Sequence, residues 1–342
     1  DISLALAEAN LKFTGTAPLP VQAQNLHFRM DFNGKQFSDF DELLDVSLPP
    51  LGPYRLAGEF GSRETGYYVK NLQLKVGEST LTGVLELKTT ETPPRLTVDL
   101  TANTVQLDDF DAGDWSAVGD DEQTSKQSTG TQESVKTTNN TAKGRALLSP
   151  EVMRRLDAKV TVNVNSVLSG QDKLGDGVLT ATLEKGRFLI DPLKLNIPGG
   201  SVDAGFALDP TNTDVGLEAS VKIEKLDYGI LARRIDPQSD VGGLISVDVD
   251  LKTRGPNLAG IMHQSNGRFD FAVWPKDLNA GIFDLWAVNL FVALMPTLES
   301  GPGSAVNCAV GRFDINDGIM RPTALLIDST RIQATGKGTI NF

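Results

Sequence analysis

One cysteine and two histidines in 342 residues leave little material for thiol or imidazole chemistry. Cys308 alone excludes an internal disulfide framework, and its neighbours Ala305, Val306, Ala309 and Val310 predict a buried, inert thiol. His27 falls on the polar side of a predicted strand and His263 in a turn-like stretch with Gln264, Ser265 and Asn266. The two lack ligand spacing and read as surface residues. Positive charge is also short: 32 Lys and Arg face 44 Asp and Glu, a formal net charge of -12. Nucleic acid is therefore not an expected partner, and electrostatic docking on anionic lipid is disfavoured. No run of about 18 apolar residues occurs, so no segment reads as a membrane-spanning helix. The sequence opens at Asp1 without an initiator Met or a signal-like segment, as expected of a processed or truncated chain.

Enzyme signatures are missing too. There is no Gly-x-Ser-x-Gly elbow, and Gly336-Lys337-Gly338-Thr339 lacks the upstream glycine of a phosphate loop. Asp108, Asp109, Asp111 and Asp114, and separately Asp314, Asn316 and Asp317, offer oxygen ligands without the remaining positions of an EF-hand, so they read as solvated turns. Neither catalytic residues, nor a metal, nor a cofactor is expected.

What is present is alternation. Leu26, Phe28, Met30 and Phe32 alternate with His27, Arg29 and Asp31, and Ile245, Val247, Val249 and Leu251 alternate with Ser246, Asp248 and Asp250. Such one-faced strands recur along the chain and predict antiparallel sheet with a single buried side. Asn33-Gly34 predicts a hairpin turn, and Ser38–Leu44, Pro150–Leu156 and Tyr228–Ile235 predict short helices. Residues 119–144 are almost wholly polar and cannot bury enough surface to offset their ordering entropy. The expected organisation is a β-rich unit over 1–112, a flexible polar linker or insertion over 113–147, a β-rich unit with short helices over 148–237 and a C-terminal β unit over 238–342. A weak repeat aligns Leu72, Leu74, Val76, Leu81, Gly83 and Leu85 with Leu193, Leu195, Ile197, Val202, Ala204 and Phe206. A third copy aligns Leu325, Ile327, Ile332 and Ala334 with Leu195, Ile197, Val202 and Ala204.

The stretch 282–295 differs, being apolar apart from Asp284 and Asn289. It predicts a helix without a polar face, with Ile282, Phe283, Leu285, Trp286, Leu290, Phe291 and Leu294 capping the sheet's apolar side. The expected fold class is mainly β: an elongated, curved antiparallel sheet with a groove and a few short helices, or else a β-sandwich in which two such faces cover each other.

Several stretches, taken in order, resemble the AsmA family. They are Leu48-Pro49-Pro50-Leu51-Gly52-Pro53-Tyr54, Leu148-Ser149-Pro150-Glu151, Gly243 to Leu258, Asn266-Gly267-Arg268-Phe269, Phe313 to Gly318, Asp328-Ser329-Thr330 and Gly336-Lys337-Gly338-Thr339-Ile340. The resemblance implies a periplasmic, β-rich body held to the inner membrane of a Gram-negative bacterium by a segment not contained here. It further implies a role in outer-membrane biogenesis, with an apolar groove that binds or conducts phospholipid or another acyl lipid. Within that expectation the lipid-facing candidates are Leu72, Leu74, Leu193, Leu195, Val215, Leu217, Val247, Val249 and Leu251. The alternative is a scaffold whose sheet edges dock outer-membrane assembly or inner-membrane proteins.

Overall fold

The computed structural model describes residues 2–6, 9–16, 25–117, 145–210, 215–236, 238–255, 261–276, 306–330 and 333–341. The protein is mainly β: about 69% of the described residues are in strands, and the sheet is antiparallel. The predicted apolar helix at 282–295 and the polar stretch 119–144 lie outside the described residues. Two compact units are formed, Asp1–Val160 with Leu183–Gly186, and Thr161–Thr182 with Arg187–Phe342. The expected boundary at 237/238 falls inside the second of them.

The first unit is an up-and-down meander of β1 (Ile2–Leu6), β2 (Ala9–Thr16), β3 (His27–Gly34), β5 (Tyr54–Arg63), β6 (Gly66–Val76), β7 (Ser79–Lys88) and β8 (Arg95–Ala102), each pairing antiparallel with the next. Two short strands, β4 (Val46–Ser47) and β10 (Arg145–Ala146), pair in parallel beside it, and β9 (Val105–Gln106) follows β8. The apolar alternants line up across the sheet, as in Leu11, Phe32, Leu56, Leu74, Leu81 and Ala102. Met30, Tyr54, Leu72, Val76, Leu81 and Leu100 are buried.

Asn33-Gly34 does not turn the chain. Gly34 ends β3 and pairs with Tyr54, and a Cβ there would lie 2.4 Å from the Tyr54 hydroxyl oxygen. The glycine serves the close approach of an aromatic ring rather than a turn. The chain instead returns through a 3-10 turn at Phe37–Phe40 and the helix α1 (Asp41–Leu44). The helix predicted at Pro150–Leu156 is shorter, α2 (Pro150–Met153), with Pro150 in its first turn and Met153 buried.

The chain passes into the second unit within β11 (Asp157–Ser169), and β12 (Asp172–Glu184) ends back in the first; the second unit then continues the same grammar through β13 (Arg187–Ile197), β14 (Gly200–Pro210), β15 (Val215–Asp227), α3 (Gly229–Ile235), β16 (Gly242–Gly255), β17 (Asn266–Lys276), β18 (Val306–Asn316) and β19 (Ile319–Ser329). From β13 to β19 every strand pairs antiparallel with its successor, and β20 (Gln333–Thr335) and β21 (Ile340–Asn341) both return to β19.

The repeat is a pair-for-pair correspondence in its first two copies. Leu72 faces Gly83 and Leu74 faces Leu81, as Leu193 faces Ala204 and Leu195 faces Val202. The ladder slips at equivalent places, between Val69 and Leu72 in one hairpin and between Ile190 and Leu193 in the other. The next strand keeps step, since Leu85 faces Val98 as Phe206 faces Ala219. The third copy departs: Ile327 pairs with Ala334, whereas its counterpart Ile197 pairs with Gly200 across a tight turn.

Candidate functional site

The apolar face of the second unit is the candidate site, because cross-strand pairing turns its alternation into continuous rows. One row runs Leu193, Ala204, Val221, Val249, Phe269, Phe313, and a second runs Leu195, Val202, Ile223, Val247, Phe271, Gly311, Leu325. A third runs Ile190, Phe206, Ala219, Leu251, Gly267, Ile315, Met320. Such rows form whenever directly opposed residues share parity on a pleated sheet.

Cover along these rows is uneven. At β17 to β19 they end in a packed core of Phe271, Ala309, Phe313, Ile315, Met320, Leu325 and Ile327. The Phe313 ring lies 5.9 Å from Phe269 and 6.1 Å from Phe271, and Gly311 leaves room for both neighbours. Across β13 to β16 the same rows are only partly buried, and Leu193 is 39% exposed. At the far end α3 covers a corner, where Ile230 packs on Val167 and Leu174 with Leu195 alongside. Asp227 accepts the Gly229 N–H at 2.9 Å, and the Arg233 guanidinium donates to both Asp172 oxygens at 3.0 and 3.4 Å, which holds the helix down.

The opposite face is charged. Lys194, Asp203, Lys222, Asp248, Asp270 and Arg312 form one row across it. Arg268 lies 3.6, 3.3 and 3.5 Å from carboxylates of Asp248, Asp250 and Asp270, and Arg312 shares Asp270 at 3.2 Å. The Glu224 hydrogen bond, followed by its charge, raises the Lys222 ammonium above the usual lysine range. A hollow of ≈ 610 Å³ is lined by Arg187, Glu218, Lys252 and Arg254 among others. A second of ≈ 550 Å³ is lined by residues of both alternations of β13 to β16, Lys194, Asp203 and Lys222 as well as Ala204, Val221 and Val249. These ion pairs are solvent-exposed and fix which face meets water more than they stabilise it.

The sequence-derived residues separate into two groups. Leu193 and Val249 share one row, and Leu195 and Val247 another. Leu217 opposes Leu208, Val215 opposes Pro210, and Leu251 opposes Ala219 on the same face. Leu72 and Leu74 belong to the first unit, where Leu72, 3% exposed, is covered by protein. The seven named helix residues between Ile282 and Leu294 lie outside the described residues. Sequence reasoning passed over Val202, Phe206, Val221, Ile223 and Phe269, which complete the rows; their alternation was visible, but only the ladder shows which residues stand side by side.

Of the polar residues weighed for chemistry, Asp109 and Asp111 hold local backbone in place. Asp109 accepts hydrogen bonds from the Glu78 and Ser79 amides at 3.1 and 2.8 Å and from the Ser79 hydroxyl at 2.6 Å, while Asp111 accepts the Gly113 N–H. His27 lies 3.3 Å from the Tyr68 hydroxyl, and His263 is exposed. Among the described residues no group of three or more His, Cys, Asp or Glu is placed to hold a metal ion.

A family model described as AsmA family matches residues 65–325. The chain is similar to the AsmA family protein YhjG of Escherichia coli (strain K12), at 20% identity over 96% of this chain and 49% of that protein. The chain thus spans about half the length of the curated relative it matches. No solved structure matches.

Proposed function

The chain belongs to the AsmA family, and on that premise we propose that it is a non-enzymatic protein of outer-membrane biogenesis that binds phospholipid along its apolar sheet face. In this reading the protein works in the periplasm, held at the inner membrane, and passes lipid between the two membranes. The observation that carries the reading is the set of apolar rows left partly uncovered across β13 to β16 beside the covered core at β17 to β19. Apolar surface left facing water is costly at about 25 cal/mol per Å², and acyl chains laid along the rows would remove that cost without any polar partner. The charged opposite face keeps the sheet soluble from its other side.

Native mass spectrometry of the chain extracted from Gram-negative membranes tests the reading. Wild-type protein is expected to carry phospholipid, and Val249→Asp, which places a carboxylate in the middle of a row, to carry none while retaining its fold. Wild-type protein free of lipid would refute it and favour a scaffold that docks proteins through its sheet edges.

A further inference from the structure

Along the first two apolar rows of the second unit the side chains change size at one place. On β14, β15 and β16 the rows are built from Ala204, Val202, Val221, Ile223, Val249 and Val247, all partly buried. On β17 both rows turn to phenylalanine, as Phe269 and Phe271, and Phe313 follows on β18. The three rings form a triangle with centroids 5.7, 5.9 and 6.1 Å apart, and the planes of Phe271 and Phe313 lie 21° from parallel. Gly311 makes the triangle possible, because a Cβ there would meet the Phe271 ring at 2.4 Å and the Phe313 ring at 2.8 Å. Phe271 and Phe313 are buried, so the rows past β17 are already filled by protein. The third row closes at the same place, on buried Ile315 and Met320.

The open part of the rows therefore has a definite length. In the second row Leu195 packs against the α3 corner at one end, and Phe271 closes the other. From β13 to β17 there are four strand spacings, about 19 Å. An acyl chain in one leaflet spans about half of the ~30 Å hydrocarbon core of a bilayer, roughly 15 Å. A single chain laid across the strands thus fits between the α3 corner and the rings, and going further would require the rings to leave a close-packed cluster.

We propose that Phe269, Phe271 and Phe313 are a stop that ends the lipid-binding face at β17, so that the open rows of the second unit hold one acyl-chain length and lipid enters or leaves this unit at β16. The proposal rests on the lipid reading of the rows given above and adds to it a boundary and a chain-length limit. The three phenylalanines act by position: they fill the place the next stretch of chain would occupy.

The test is photolysis of the 342-residue chain with a phosphatidylcholine that carries a diazirine near the end of one acyl chain, the adducts being mapped to residues. In wild type, adducts are expected on the apolar alternants of β13 to β16 and none on β18 or β19. The Leu244–Trp274 pair, at the alternate register on the charged face, should stay unlabelled. Phe269→Ala, at a partly buried position, and Phe313→Ala should each let adducts appear at Ile315 and Leu325, with thermal melting to show which variants fold. Single-chain phosphocholines from decyl to eicosyl then compete for the label. Their affinity should rise about twofold per methylene, half the gain of full burial, and level off once the chain reaches the rings; in Phe269→Ala the levelling should move to longer chains. Adducts running evenly from β13 to β19 in wild type, an undiminished rise to eicosyl, or an unchanged map in a folded variant would overturn the stop while leaving the lipid reading standing. No adducts on β13 to β16, or labelling of Leu244 and Trp274 as strong as that of Val249, would overturn the lipid reading and the stop with it.

Discussion

Alanine substitutions along a single row should reproduce its gradient of cover as a gradient of stability. The row from Leu193 to Phe313 crosses six strands on one face, so chemistry and secondary structure are nearly constant while burial changes. Phe313 is 2% exposed among Phe269 and Phe271, and Phe313→Ala would leave a cavity at a cost of about 3–5 kcal/mol. Leu193 is 39% exposed at the open end of the row. Leu193→Ala removes about three carbon groups at about 0.8 kcal/mol each; with about three fifths of that burial realised and no cavity formed, the loss is about 1.5 kcal/mol. Val249→Ala should fall between. Urea unfolding at a common m-value, with amide exchange of β17 to β19 to report the second unit, measures all three. Equal losses at Leu193 and Phe313 would mean the face is covered throughout, and the reasoning from uneven cover would fail.

Other outcomes follow from local geometry. Gly311→Val should destabilise by about 1–3 kcal/mol, since a Cβ there would lie 2.4 Å from the Phe271 ring and 2.8 Å from the Phe313 ring; thermal melting reads the loss. Replacing 118–144 by a short Gly-Ser linker should leave the melting temperature within a degree or two of wild type on the scale of ~0.5 kcal/mol. The ends of that stretch are already tied, by the Leu148 N–H donated to the Ala117 carbonyl at 2.8 Å and by Trp115 donating to the Ser47 hydroxyl at 3.2 Å. A large drop would show that the segment carries stability. The Arg55 hydrogen bond, ahead of its charge, holds the Asp31 carboxyl below its usual range. Because the folded value is the lower one, this contribution is present above the unfolded carboxylate range and lost as pH falls through the folded value. An NMR titration should show Asp31 returning to its ordinary range in Arg55→Gln, and an unmoved titration would contradict the assignment.

The fold was readable in the sequence to the depth at which a residue's neighbours are its own chain neighbours. Val247, Val249 and Leu251 announce a one-faced strand by alternation alone, and the offset linking Leu72 with Leu193 exposed a hairpin repeat because both copies keep the same spacing. Three features needed the ladder. Asn33-Gly34 carries a turn signal, yet Gly34 is spent on the Tyr54 ring across the sheet, a long-range contact that local propensity does not encode. The slip between Ile223 and Leu226 carries β15 past its regular register, so Leu226 faces Ile245 where plain alternation would have lost the face. The Leu244–Trp274 pair joins strands through a register that depends on the whole connection between β16 and β17. For the candidate site, parity gave the apolar face but not its cover. Leu72 and Leu193 occupy equivalent positions in the repeat, and one is buried while the other is open, because what lies above a sheet face is a tertiary property.

The central claim is that the uncovered rows of the second unit are a lipid-binding face. It is tested most directly by placing a photo-crosslinking residue at successive positions of β16 in cells and recovering phospholipid adducts. Probes at Val247, Val249 and Leu251 should capture phospholipid, and probes at Ser246, Asp248 and Asp250, on the charged face, should not. Adducts at both sets alike, or at neither, would contradict the account.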